Sequence, residues 1–341
     1  MTDLRVLITR LSHLGDCITA MPLACALRRQ FPQAFIGWVV EKPGDKLLAN
    51  HPAVDYVLPL SKGWLKSPAR VKEIRRELRA QRFEVAIDPQ SLTKSSVLGW
   101  LSGAEQRIGL QRPWGKELSV WLNNDLIHPA ERHVTLRTLA LLEPLGVTPS
   151  EIDFQFPETP FGRSNMESFV KRAHLSHGFA LVNPGAGWAS RRWPPERFGL
   201  VARHLGFERG ITSVVAWAGE AEREMAEKII ARSGGHALLA PPTDLLELGS
   251  LLRLSRFYLG GDTGPMHIAV AVGAQCIVLH GATLPEDSGA LGSQHVAIQT
   301  YHQNGRNRRR AGNDAMRAIS VEQVCDACDQ VLAARPVRAA A

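Results

Sequence analysis

The stretch "GGDTGPMHIAVAVGA" (260–274) begins as the end of a strand and finishes as an apolar helix. A strand that stops at two glycines and hands over at once to a helix is the repeating unit of parallel α/β folds. The amides at that helix start carry partial positive charge and favour a phosphate or another anion. Asp262-Thr263-Gly264 is also the triplet of aspartic proteases, which need two such carboxylates in an all-β setting. One triplet in a strand-to-helix turn excludes that reading.

Working outward, the same grammar fills the chain. Strands are expected at 4–10, 34–40, 55–60, 83–89 and 106–110, with helices near 16–30, 43–50, 68–81, 93–102 and 133–146. The proline-rich segment 147–162 reads as a linker, and the pattern then restarts. Strands follow at 179–185, 212–219, 236–240, 256–262 and 276–281, with helices near 195–205, 222–233, 245–255 and 264–273. The expected architecture is two Rossmann-like domains, 1–155 and 156–341, with parallel sheets facing across a cleft. In such sheets ligands lie beyond the carboxyl ends of the strands.

The 341 residues include 45% hydrophobic and 21% charged side chains, as in a soluble globular protein. No apolar run approaches ~20 residues, and the start lacks a signal-peptide layout, so a cytoplasmic location is expected. Five scattered cysteines imply no disulfide framework; Cys325 and Cys328 lie in a terminal helical pattern without further zinc ligands. The net charge of +7 points to an acidic partner. Segment 62–82 concentrates it, with eight Lys or Arg against two Glu. There Ser67 and Pro68 start a helix whose buried stripe is Val71, Ile74 and Leu78. No nucleic-acid module accompanies this helix, so nucleic acid is not the expected partner.

Four strand ends carry unusual chemistry. In "RLSHLGD" (10–16), Ser12 and His13 precede Asp16, which reads either as a helix N-cap or as a carboxylate that deprotonates an attacking hydroxyl. "NPGAGWASRRWP" (183–194) combines three small residues with Arg191 and Arg192, which suits a diphosphate. In "WAGEAERE" (217–224), Glu222 can accept from ribose hydroxyls or lie on a solvated helical turn. The fourth is the opening stretch, where His267 sits one turn into the helix. No dinucleotide fingerprint, Walker loop or metal signature is present, and metal-independent chemistry without a cofactor is the expectation.

Together "RLSHLGD", "AIDPQSLTKSS" (86–96), "RIGL" (107–110), "ERHVTLRTLALLEPLG" (131–146), "NPGAGWASRRWP", "AGEAE" (218–222) and "GGDTGPMHIAVAVG" resemble glycosyltransferase family 9, the heptosyltransferases of the lipopolysaccharide inner core. "KGWLKSP" (62–68) is similar to the heptosyltransferase I branch. The resemblance implies a GT-B fold with the acceptor on the N-terminal domain and ADP-heptose on the C-terminal one. It also implies inverting, metal-independent transfer to a Kdo-bearing acceptor at the inner membrane surface.

Carried over, Asp16 is the base, with Ser12, His13 and Lys62 on the acceptor. Arg191, Arg192, Glu222, Asp262, Thr263, Gly264 and His267 fall on the donor. Arg191 stands where the family has a lysine, His13 where small hydroxyl residues are common, and the 302–316 loop lacks a cysteine-rich pattern. The alternatives are a GT-B enzyme using a UDP- or GDP-sugar, or a non-catalytic sugar-nucleotide binding protein.

Overall fold

The computed structural model describes residues 4–303 and 312–334. Of the basic loop at 304–314, residues 304–311 lie outside the described residues. The chain forms two compact units, Met1–Pro157 and Glu158–Ala341.

The first unit holds strands β1 (Arg5–Thr9), β2 (Phe35–Glu41), β3 (Tyr56–Leu60), β4 (Val85–Asp88), β5 (Gln106–Leu110) and β6 (Asp125–Ile127). They form one parallel sheet in the order β3-β2-β1-β4-β5-β6. The second unit holds β7 (Phe179–Asn183), β8 (Thr212–Val215), β9 (Ala237–Leu239), β10 (Phe257–Gly261), β11 (Cys276–Leu279) and β12 (Val296–Ile298). Its order, β12-β11-β10-β7-β8-β9, is the same permutation. In each unit the first and fourth strands are neighbours, so each has a topological switch point where helices diverge and ligands bind. Register places Ile8 beside both Trp38 and Ile87, and Leu259 beside both Val182 and Ile277.

The central strands are apolar along their length because helices cover both faces. In the first unit Leu7, Val39, Ile74, Leu78, Leu98 and Leu101 share one core. In the second, Val182, Trp193, Phe198, Leu205, Leu259 and Val324 share another. Trp193 meets Phe198 edge-on at 4.8 Å, and its indole N–H donates to the Ile319 carbonyl at 3.1 Å.

The basic helix is Pro68–Ala80, with the Ser67 hydroxyl accepting from the Arg70 amide at 3.3 Å. Ile74 and Leu78 are fully buried, and Val71 packs beside them. Cys328 is buried and Cys325 packs against the same core, both as free thiols.

Three expectations need correction. The 133–146 helix is Val134–Ala140 followed by a 3-10 turn, Glu143–Leu145, because the Pro144 ring would crowd the carbonyl four residues back. The 147–162 segment is not wholly a linker: the helix Pro160–Arg172 starts inside it, capped by Thr159, whose hydroxyl accepts from the Gly162 amide at 3.0 Å. Edge strands β6 and β12 complete the sheets; at three residues each, they are too short to show a period.

Candidate active site

In the first unit, polar groups gather at the carboxyl ends of β1, β2 and β4. Arg10 is nearly buried and spans the switch point. Its Nη1 donates to the Pro89 carbonyl at 3.0 Å, and its Nη2 meets Asp16 Oδ1 at 2.8 Å. The His13 amide donates to Asp16 Oδ2 at 2.9 Å, and its imidazole Nδ1 lies 3.5 Å from the same oxygen. Asp16 is therefore not the N-cap; the helix Leu14–Gln30 begins earlier, His13 caps it, and Asp16 is its third residue. A carboxylate in the first turn is favoured by the unpaired amides there. Its side chain remains 39% exposed while Arg10 fixes its direction.

The Ser12 hydroxyl accepts from Lys94 Nζ at 3.1 Å, and Lys94 also lies 3.4 Å from Glu41 Oε1. Gln90 Oε1 accepts from the Leu11 amide at 2.8 Å, fastening the β1 loop to the β4 loop. Behind them Asp88 is buried, accepting from the Ser91 amide at 2.8 Å and the Ser96 hydroxyl at 2.5 Å. Burial raises the Asp88 carboxyl, against the hydrogen bonds from Ser96, Ser95, Ser91 and Asn123. Lys62 sits apart, exposed on the turn after β3.

In the second unit the two glycines that end β10 have a packing cause. A Cβ on Gly260 would lie 2.4 Å from the buried Tyr258 Oη and 2.8 Å from the Asn183 carbonyl. Glycine lets β10 close against the end of β7, where Asn183 Nδ2 donates to the Gly185 carbonyl at 3.1 Å and reaches Thr263 Oγ1 at 3.5 Å. Thr263 is the N-cap residue of the helix Gly264–Ala271, but its side chain makes no cap bond. A Cβ on Gly264 or on Gly187 would meet nothing within 4 Å. The helix start therefore opens onto free space of the kind an anion fills.

Asp262 is 2% exposed. Its carboxylate accepts from the Ser288 hydroxyl at 3.0 Å and lies 3.6 Å from His267 Nε2 and 3.9 Å from Arg191 Nη2. Arg191 also donates to the Asp262 carbonyl at 2.7 Å and stacks on Trp188. Burial pushes the Asp262 carboxyl up, yet His267, Arg191, His280 and the Thr283 hydroxyl outweigh it and hold it below the usual range. Burial pushes His280 down to about 4, so it is neutral at physiological pH and the permanent cation beside Asp262 is Arg191. Arg192 donates twice to the Ala186 carbonyl, at 2.9 and 3.0 Å. Glu222 accepts from the Ala218 amide at 2.9 Å, and a Cβ on Gly185 would fall 2.2 Å from its Oε1. Burial raises the Glu222 carboxyl, offset in part by the Ala218 amide and Arg192.

The structure thus gathers Ser12, His13 and Asp16 at one switch point. At the other it gathers Arg191, Arg192, Glu222, Asp262, Thr263, Gly264 and His267. Sequence reasoning missed Arg10, Glu41, Lys94, Asn183 and His280. The strand-end rule could have flagged Arg10, Glu41, Asn183 and His280, which lie at or just beyond strand ends. Among the described residues no cluster of His, Cys, Asp or Glu forms a metal-binding group.

Two Rossmann-type units in tandem, each with its own switch point, give the chain a GT-B fold. The family model described as glycosyltransferase family 9 (heptosyltransferase) matches residues 71–316, and the chain belongs to that family. Lipopolysaccharide heptosyltransferase 1 of Pseudomonas aeruginosa is 27% identical over 304 residues, covering 86% of this chain and 83% of that one. A family 9 glycosyl transferase structure from Veillonella parvula superposes with a TM-score of 0.83 at 22% identity, covering 97% and 98%. Escherichia coli heptosyltransferase WaaC with ADP superposes with a TM-score of 0.77 at 22% identity, covering 96% and 100%.

Proposed function

We propose that this glycosyltransferase moves a heptose from ADP-heptose onto a Kdo-bearing lipopolysaccharide inner-core acceptor at the inner face of the cytoplasmic membrane. The transfer is inverting and independent of metal. The observation that carries this reading is the Arg10–Asp16 pair at 2.8 Å, which holds a partly exposed carboxylate at the β1 switch point. Asp16 takes the proton of the acceptor hydroxyl as that oxygen attacks the anomeric carbon from the face opposite the diphosphate. A base so placed contributes ~10²–10⁴-fold.

The leaving diphosphate is held at the Gly264 helix start, with Arg191 and Arg192 supplying charge where other enzymes use a cation. Glu222 accepts from the donor ribose. Asp262, buried among Arg191, His267 and Ser288, aligns the cradle from behind. Lys62, Ser12 and His13 meet the anionic acceptor. The names of the relatives support heptose, and the ADP-bound neighbour supports the nucleotide.

The test is to incubate the protein with ADP-heptose and a Kdo-terminated acceptor in the presence of a chelator, then analyse the product. ADP release with a product of inverted anomeric configuration is expected. Consumption of a UDP- or GDP-sugar instead would move the assignment to another donor, and donor binding without consumption would make the protein a binding module.

A further inference from the structure

We infer that the first unit carries a docking face for an anionic lipid bilayer, built on the helix layer that covers one side of its sheet. The helix Pro68–Ala80 packs against the helix Thr93–Ser102, which packs against the short helix Ser119–Leu122. Ile74, Leu78, Leu98 and Leu101 point from this layer into one core, so the opposite side of the layer is outward.

That outward side is unlike an ordinary soluble surface. Trp121 is 80% exposed, Leu118 58% and Trp100 55%. The segments that carry them are tied together. The Leu118 amide donates to Thr93 Oγ1 at 3.1 Å, and Asn123 Nδ2 reaches Ser96 Oγ at 3.3 Å. Segment 118–123 therefore runs along the helix that carries Trp100 one turn further on.

The cations adjoin them. The Arg79 guanidinium lies 3.7 Å from the place a Cβ on Gly103 would occupy, just past Trp100. Lys72, Arg75, Arg76 and Arg79 are all exposed on the neighbouring helix.

Water penalises exposed tryptophans, and soluble monomers rarely cluster them. A membrane interface favours them, because the indole places its apolar ring among the acyl chains and its N–H among the headgroups. Basic residues beside them fit a surface of negative charge, where each contributes about fivefold in partition. A protein partner or a second copy of the chain would need acidic groups to match this cationic helix, whereas an anionic leaflet supplies them continuously. Among the described residues no helix is long and apolar enough to cross a membrane, so the contact is interfacial.

The inference concerns a surface and not the reaction, and its test contains neither donor nor acceptor. The full-length protein is sedimented with vesicles of equal parts phosphatidylglycerol and phosphatidylcholine, and with vesicles of phosphatidylcholine alone. Preferential pelleting with the anionic vesicles is expected, weakened by salt, with a blue shift of tryptophan emission. Trp100→Ser with Trp121→Ser should lower partition at least about tenfold. Arg75→Gln, Arg76→Gln and Arg79→Gln together should lower it about a hundredfold, at about fivefold each. Unchanged stabilisation by ADP would show that the tryptophan variant folds.

Wild-type protein remaining in the supernatant would overturn the inference, as would a tryptophan variant that pellets like the wild type. A loss of self-association in that variant, with vesicle binding unaltered, would assign the face to a second copy and also overturn it.

Discussion

Two glycines four residues apart should respond to alanine in opposite ways. Gly264 begins the helix beyond β10, and its added Cβ would meet no atom within 4 Å. Replacing glycine by alanine in an unstrained position leaves stability equal or raises it by about 0.4–1 kcal/mol. If a diphosphate sits at this helix start, however, the methyl group occupies its space and weakens a charge-assisted hydrogen bond worth about 1.5–3 kcal/mol. The dissociation constant for ADP should rise about tenfold to a hundredfold.

Gly260 is the reverse case. Its Cβ would stand 2.4 Å from Tyr258 Oη and 2.8 Å from the Asn183 carbonyl, both in the interior. Overpacking of this kind costs about 1–3 kcal/mol. Thermal unfolding separates the two variants on stability, and calorimetric titration with ADP separates them on affinity. Gly264→Ala should melt at or slightly above the wild type and bind ADP poorly, while Gly260→Ala should melt several degrees lower. A Gly264→Ala protein with both wild-type stability and wild-type affinity would refute the cradle.

Two further outcomes concern pH. Burial holds His280 near 4 from an ordinary 6.5, so on acidification the unfolded chain takes the proton first. Stability should fall as pH drops from about 6.5 to about 4, by about 3 kcal/mol at roughly 1.4 kcal/mol per pH unit. Denaturant titrations should show a shallower acid slope for His280→Gln; an identical slope would contradict the assignment. Asp329 shows the opposite charge logic. Arg209 at 2.8 Å and His204 at 3.1 Å hold its carboxyl at about 2, joining the helix Val321–Ala333 to the helix Pro195–Arg209. That contribution is complete above about pH 4 and lost as pH falls towards 2. Partial exposure screens it to about 1 kcal/mol, so Asp329→Asn should destabilise by that amount at neutral pH and by only a small fraction of it near pH 2.

The alternation of short apolar runs with helical patterns was legible because both sheets are buried on two faces, which leaves continuous apolar strands such as "RVLIT" and "FALVN". The helix start at Ser67 and Pro68 was legible because capping is local. Strands β6 and β12 were not, since three edge residues carry no period.

Site residues divide in the same way. Asp16, Thr263 and Gly264 lie in loops whose local chemistry is unusual. Lys94 meets Ser12 and Glu41 only because β4 returns beside β1, a consequence of topology with no local sequence mark. Of the two readings of Asp16, the N-cap falls because the helix starts at Leu14, two residues before the expected position. The buried ring of groups around Asp262 draws on β10, the β7 loop and the segment after β11, and no single window of sequence contains it.

The most direct test is the rate of heptose transfer from ADP-heptose to a Kdo-terminated acceptor by Asp16→Asn, beside its affinity for ADP. Asparagine can still accept from the His13 amide, so the loop is retained while the proton acceptor is lost. A fall in kcat of about 10²-fold or more, with ADP affinity unchanged, is predicted. Turnover within about tenfold of the wild type would contradict the role of Asp16 and with it the proposed mechanism.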